Sequence, residues 1–116
     1  MSRAQETRTV AGDLWGWRVR CPACEAHLAE ARPGLSLEDR VFYAAHTYDK
    51  TRWGFNGDLD RPTFGGSMLS HASDLHPRCH SVVKDGRVHF CDEPGQRMGG
   101  QTVDLPDWDD GEETTP

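Results

Sequence analysis

The sequence predicts an α+β, mainly β fold: one small domain whose antiparallel hairpins surround a Cys-x-x-Cys knuckle. Three observations predict it. Apolar residues make up 35% of 116 residues, a thin core for a chain with 12 glycines and 7 prolines. Two stretches alternate with period two, around Trp15–Cys21 and across residues 79–91. Cys21, Cys24 and Cys79 are placed to pin such a loop-rich domain with a metal ion.

In chain order, residues 1–12 are polar and read as a flexible N-terminal arm, ahead of a β-rich, zinc-binding domain over 13–106. In "LWGWRVRC", Trp15, Trp17, Val19 and Cys21 fall on one face, with Arg18 and Arg20 on the other. That pattern is a half-buried strand delivering Cys21 to the core. "EAHLAEAR" consists of good helix formers, and Pro33-Gly34 ends it, although spacing alone leaves helix or strand open for 25–32. Ser36 with Asp39 three residues on is a weak capping box for a short helix. Asn56-Gly57 marks a tight turn among Trp53, Phe55 and Phe64. Residues 65–78 read as a loop with at most a short strand. "CHSVVKDGRVHFC" is a hairpin on a type I′ Asp85-Gly86 turn. Its core face carries Cys79, Val83, Val88 and Phe90, and its outer face His80, Val82, His89 and Cys91. "QTVDLP" is a last strand. Residues 107–116 read as an acidic, disordered tail: the segment from Asp104 on holds six of the 19 acidic residues and no basic one.

The net charge of −6 sits largely in that tail. The near-neutral body excludes general nucleic-acid and anionic-membrane binding, both of which need a basic surface. No apolar run approaches a membrane span and the N-terminus has no signal core, so a cytoplasmic location is expected. Four cysteines in a reducing compartment point to metal or redox chemistry.

Structural zinc is the preferred reading of the cysteines, one Zn²⁺ per chain. A Cys-x-x-Cys knuckle supplies Cys21 and Cys24, Cys79 is the third ligand, and His80 the fourth, with Cys91 or His27 as alternatives. A thioredoxin-like dithiol at Cys21/Cys24 is the rival enzyme, since a helix N-terminus activates a thiol. A zinc-dependent hydrolase, with Glu25 or Asp92 as base, is the third possibility; the deaminase and zinc-protease signatures are absent. His71, His76 and His89 read as ordinary surface or satisfied histidines. No Ser–His–acid or phosphate-loop pattern is legible. Trp53, Phe55, Asn56, Asp58 and Arg61 form a polar–aromatic cluster that serves either as a partner surface or, preferably, as a structural turn.

"CPAC" with His27, "WGFNGDLDRPTF", "CHSVVKDGRVHF" and "GQTVDLPDW" together resemble a family of small bacteriophage and prophage proteins that genome listings often label "ammonia monooxygenase". The resemblance spans roughly residues 15–108. It implies a compact, mostly β zinc-site domain of uncharacterised function, with Cys21, Cys24 and Cys79 as ligands and His80 or His27 as the fourth. Gln96 stands where that family often has histidine, and Gly65-Gly66 where it has serine-proline. With no catalytic residues legible, the expected function is non-enzymatic: a phage-type accessory protein, in the virion or modulating a host process, that binds a phage or host protein.

Overall fold

The computed structural model describes residues 2–108. Seven strands and two helices follow in order: β1 (Ala4–Arg8), β2 (Leu14–Val19), α1 (Pro22–Ala31), α2 (Leu37–Ala44), β3 (His46–Asp49), β4 (Met68–Ser70), β5 (Cys79–Lys84), β6 (Arg87–Phe90) and β7 (Thr102–Asp104). They form two antiparallel sheets, ordered β1-β2-β3 and β4-β5-β6-β7. The α+β, mainly β expectation holds.

The hairpin has the register its turn dictates. Lys84 faces Arg87, Val83 faces Val88 and Val82 faces His89, and Asp85 and Gly86 both adopt positive φ (52° and 77°). Cys79, Val83, Val88 and Phe90 are buried, while His80 and His89 lie on the outer face. Both helix starts are capped by the residues that close them. Cys21 caps α1, its Sγ accepting from Cys24 N with Pro22 in the first turn, and Ser36 Oγ accepts from Asp39 N at α2.

Two chain-end expectations change. Residues 4–8 are not a loose arm but the edge strand β1, paired with β2 from Ala4↔Val19 onward. Only Ala4 is buried there, so its polar pattern gave no core signal. The start of the tail also belongs to the body. Trp108 is buried, its N–H groups donate to Ser2 O and Arg18 O, and the Arg18 guanidinium lies 5.0 Å from its ring. The rest of the expected tail, 109–116, lies outside the described residues.

The core joins the sheets through aromatics. Tyr48 on β3 stacks on Phe64 at 4.0 Å, Phe64 on Phe55 at 5.0 Å, and Trp17 meets Phe55 at 4.2 Å. Trp53 and Phe55 are thus packed against the core. Asn56, Asp58 and Arg61 are exposed and tie the loop to itself: Asn56 Nδ2 donates to Arg61 O, and Asp58 Oδ1 accepts from Asp60 N and Arg61 N.

Candidate functional site

Four buried donors converge where β2, α1, β3 and β5 meet: Cys21, Cys24, His46 and Cys79, every ligand atom within 4.8 Å of the others. The knuckle contributes two thiols because the strand end and helix cap turn them inward. β5 brings Cys79, with Sγ 3.9 Å from that of Cys21. His46 opens β3 opposite Val19, two residues before Cys21, and its Nε2 lies 3.7 Å from Cys24 Sγ. Tetrahedral zinc, with bonds of about 2.3 Å to sulfur and 2.0–2.1 Å to nitrogen, requires edges of roughly 3.8 Å and 3.5 Å. The observed edges fit a Cys₃His centre. The outer partners fit too: His46 Nδ1 is hydrogen-bonded to Ser70 Oγ at 2.9 Å, which leaves Nε2 to face the thiols, and Gln96 Nε2 reaches Cys79 Sγ at 3.9 Å.

Burial, helped by Cys79 and opposed by the hydrogen bonds to Cys24, pushes the Cys21 thiol up. Hydrogen bonding to Cys21 and Cys79, and burial, push Cys24 up, whereas the hydrogen bond from Cys21 pulls Cys79 down. Crowded sulfurs share protons when metal-free, and a dication offers all three a reason to ionise.

The fourth donor of the buried group is therefore His46, where His80 was expected. His80 follows Cys79 on the same strand, so its side chain leaves by the opposite face. Cys91 sits on that outer face as well, and His27 on α1 lines a shallow pocket beside Cys24 and Cys79 without joining the donors. His76 packs edge-on over His46 with its ring 5.0 Å away. His89 bonds Thr102 and His71 is exposed. Glu25, a candidate base, is held by the Arg20 guanidinium in two hydrogen bonds of 2.9 and 2.8 Å. The dithiol reading gives way on the same geometry: both knuckle thiols are buried against Cys79 and His46, within two antiparallel sheets rather than a thioredoxin-like alternation.

The outer face of β4 and β5 holds a constellation that the linear sequence hid. His80 Nδ1–H donates to Glu93 Oε2 at 2.6 Å, and His80 Nε2 accepts from the Ser67 hydroxyl at 2.9 Å. Arg78 Nη1 holds the other Glu93 oxygen at 2.8 Å. The His80 and Arg78 hydrogen bonds keep the Glu93 carboxyl below the usual range, so it stays ionised. This is the order nucleophile, base, orienting acid, and the imidazole tautomer is the one a general base needs. Ser67 is exposed and follows Gly66, whose φ is 80°. Among the described residues no hydrogen bond engages the amide N–H of Gly66 or Ser67.

The two sites share their supports. Cys79 and His80 are neighbours, and Ser67 precedes β4 while Ser70 ends it. Gln96 Oε1 accepts from His80 N at 2.8 Å while its Nε2 faces the Cys79 sulfur. Cys91 lies beside His80 and Glu93, its thiol pushed up by burial.

The family described as bacterial ubiquitination-like system serine protease (BubE) has a model that matches residues 3–91. No curated protein and no solved structure matches the chain. The match covers most of the chain, and the chain belongs to that family. The bacteriophage resemblance, and with it the viral, virion and accessory-protein expectations, is overturned by this match. No helix among the described residues is long and apolar enough to cross a membrane.

Proposed function

Starting from that membership, we propose that this chain is a serine protease whose catalytic residues are Ser67, His80 and Glu93. The single observation that carries the reading is the pair of hydrogen bonds, 2.9 and 2.6 Å, linking hydroxyl, imidazole and carboxylate in one line.

Each residue has a definite task. His80 Nε2 takes the Ser67 proton as Oγ attacks the scissile carbonyl. Glu93 keeps Nδ1 protonated and offsets the charge of the imidazolium, and Arg78 keeps Glu93 in place. The amides of Gly66 and Ser67 are available to the oxyanion that develops. The tetrahedral intermediate then expels the amine, which leaves with the proton from His80 as the Ser67 ester forms. Water, deprotonated by His80, attacks that ester, and Ser67 recovers its proton. The exposure of Ser67 suits a polypeptide substrate laid across an open surface, so the partner is a protein.

The Cys21–Cys24–His46–Cys79 centre is a structural zinc site in this reading. Its donor set and spacing suit Zn²⁺, and its place explains its use. It fixes Cys79 next to His80 and, through His46 and Ser70, the far end of the short strand that follows Ser67.

A fluorophosphonate probe tests the proposal. It should phosphonylate one serine, found by peptide mapping to be Ser67, and His80→Ala should suppress the reaction. Labelling that survives in His80→Ala, or that maps elsewhere, would sink the assignment.

A further inference from the structure

β4 is the outermost strand of its sheet, and its open edge starts at the proposed nucleophile. Which of its backbone groups face outward follows from β5. Cys91 N donates to His80 O, so the His80 backbone faces β6. Phe64 N donates to Val83 O, so Val83 faces the β4 side. Antiparallel strands alternate, so Cys79, Ser81 and Val83 face β4 while His80 faces away. In the register Met68↔Ser81, Leu69↔His80 and Ser70↔Cys79, Met68 and Ser70 therefore bond to β5. Leu69 turns its N–H and C=O to the free edge, and Ser67, two residues earlier, turns its N–H the same way. Among the described residues no backbone hydrogen bond from outside the sheet ladder reaches Leu69. The Leu69 side chain is 38% exposed, on the face that carries His80.

We propose that the substrate binds as an added β-strand on this edge, its main chain paired with Leu69 so that the scissile carbonyl reaches the Ser67 amide. The proposal rests on the Ser67–His80–Glu93 reading and specifies the substrate: an extended segment at least three residues long before the cut bond. The geometry fixes the direction. An antiparallel segment whose third residue before the bond (P3) faces Leu69 exchanges both hydrogen bonds with it. Two residues on, the P1 residue faces Ser67, and its carbonyl accepts from the Ser67 N–H beside Oγ. Main-chain pairing supplies affinity with little demand on side chains, and it fills an edge that an isolated sheet leaves open to stray strands. A folded substrate must therefore offer a loose terminus or linker.

The test compares alanine-based diphenyl phosphonates by the rate at which they modify Ser67, read by intact mass. In each, Oγ bonds to phosphorus, phenoxide leaves and His80 takes the serine proton. The tripeptidyl probe should react at least tenfold faster than the single-residue probe. Methylating the P3 nitrogen, which removes its donor to Leu69 O, should cost about tenfold, the size of one hydrogen bond. Methylating the P2 nitrogen, which faces away from the edge, should cost little. Leu69→Pro, which removes only an outward N–H on an edge strand, should lose the tripeptide advantage yet still react with a simple fluorophosphonate. If the simple probe labels Ser67 but the tripeptide has no advantage, or P2 and P3 methylation cost the same, the edge proposal is wrong and the triad stands. If no probe labels Ser67, both are wrong.

Discussion

Removing zinc from the proposed Cys₃His centre should unfold this protein, and the structure indicates the scale. Zinc held by a Cys₃His set contributes roughly 10–16 kcal/mol of apparent folding free energy. A domain of this size has a total stability of about 5–15 kcal/mol, and here only 35% of residues are apolar. The centre joins the first sheet, α1 and the second sheet at one point, so its loss separates all three. For a domain near 100 residues, each kcal/mol moves the melting point by about 4–8 °C; stripping the ion thus exceeds the available margin. Protein purified without added zinc should carry one equivalent by elemental analysis. A strong chelator should abolish the cooperative thermal transition followed by circular dichroism. His46→Ala should lose the zinc, whereas His80→Ala should keep it. A zinc-free protein with an unchanged transition would refute the reasoning. So would a zinc centre that survives His46→Ala and is lost with His80→Ala.

Glu93→Gln should keep the fold and the zinc while lowering the rate of Ser67 phosphonylation by about a hundredfold; the acid's 29% side-chain exposure sets this below the ~10⁴ of a fully buried triad, and a rate within threefold of wild type would remove Glu93 from the mechanism. Arg20→Ala should destabilise by about 3–5 kcal/mol in urea titration, because it strands the Glu25 carboxylate in a site where the pair is only 8% and 12% exposed. Arg20→Met with Glu25→Leu should restore most of that loss, and a double variant as unstable as the single would count against the ion-pair explanation. Gly86→Ala should cost about 1–3 kcal/mol, since φ is 77° and the new Cβ would stand 3.1 Å from Arg61 Cα; an unchanged melting point would show that the turn relaxes.

How much of this could be read from the chain depends on how local each signal is. The hairpin was legible because Asp85-Gly86 fixes its own register. The knuckle was legible because Cys21, Pro22 and Cys24 carry strand end, helix start and ligand spacing in four residues. Three donors of the buried group followed. His46 did not: it lies 22 residues beyond Cys24 and joins the site only through the β2–β3 register. A trace of it exists in "HTYD", where His46 and Tyr48 share the buried face of a period-two run. β1 was missed because an edge strand needs one buried residue and tolerates polar ones. Ser67, His80 and Glu93 follow one another at intervals of thirteen residues, just before a three-residue strand, on its neighbour and in a loop. A triad is defined by geometry rather than order, so no spacing rule could have assembled it. His80 shows the cost of reading locally: adjacency to Cys79 suggested a ligand, yet strand alternation sends adjacent side chains to opposite faces.

The most direct test is a serine-by-serine comparison of covalent capture. Wild type and the variants Ser67→Ala, Ser70→Ala and Ser81→Ala would each be treated with a fluorophosphonate and weighed intact. One phosphonyl group should add to wild type, Ser70→Ala and Ser81→Ala, and none to Ser67→Ala. Capture that persists without Ser67, in folded zinc-loaded protein, would contradict it.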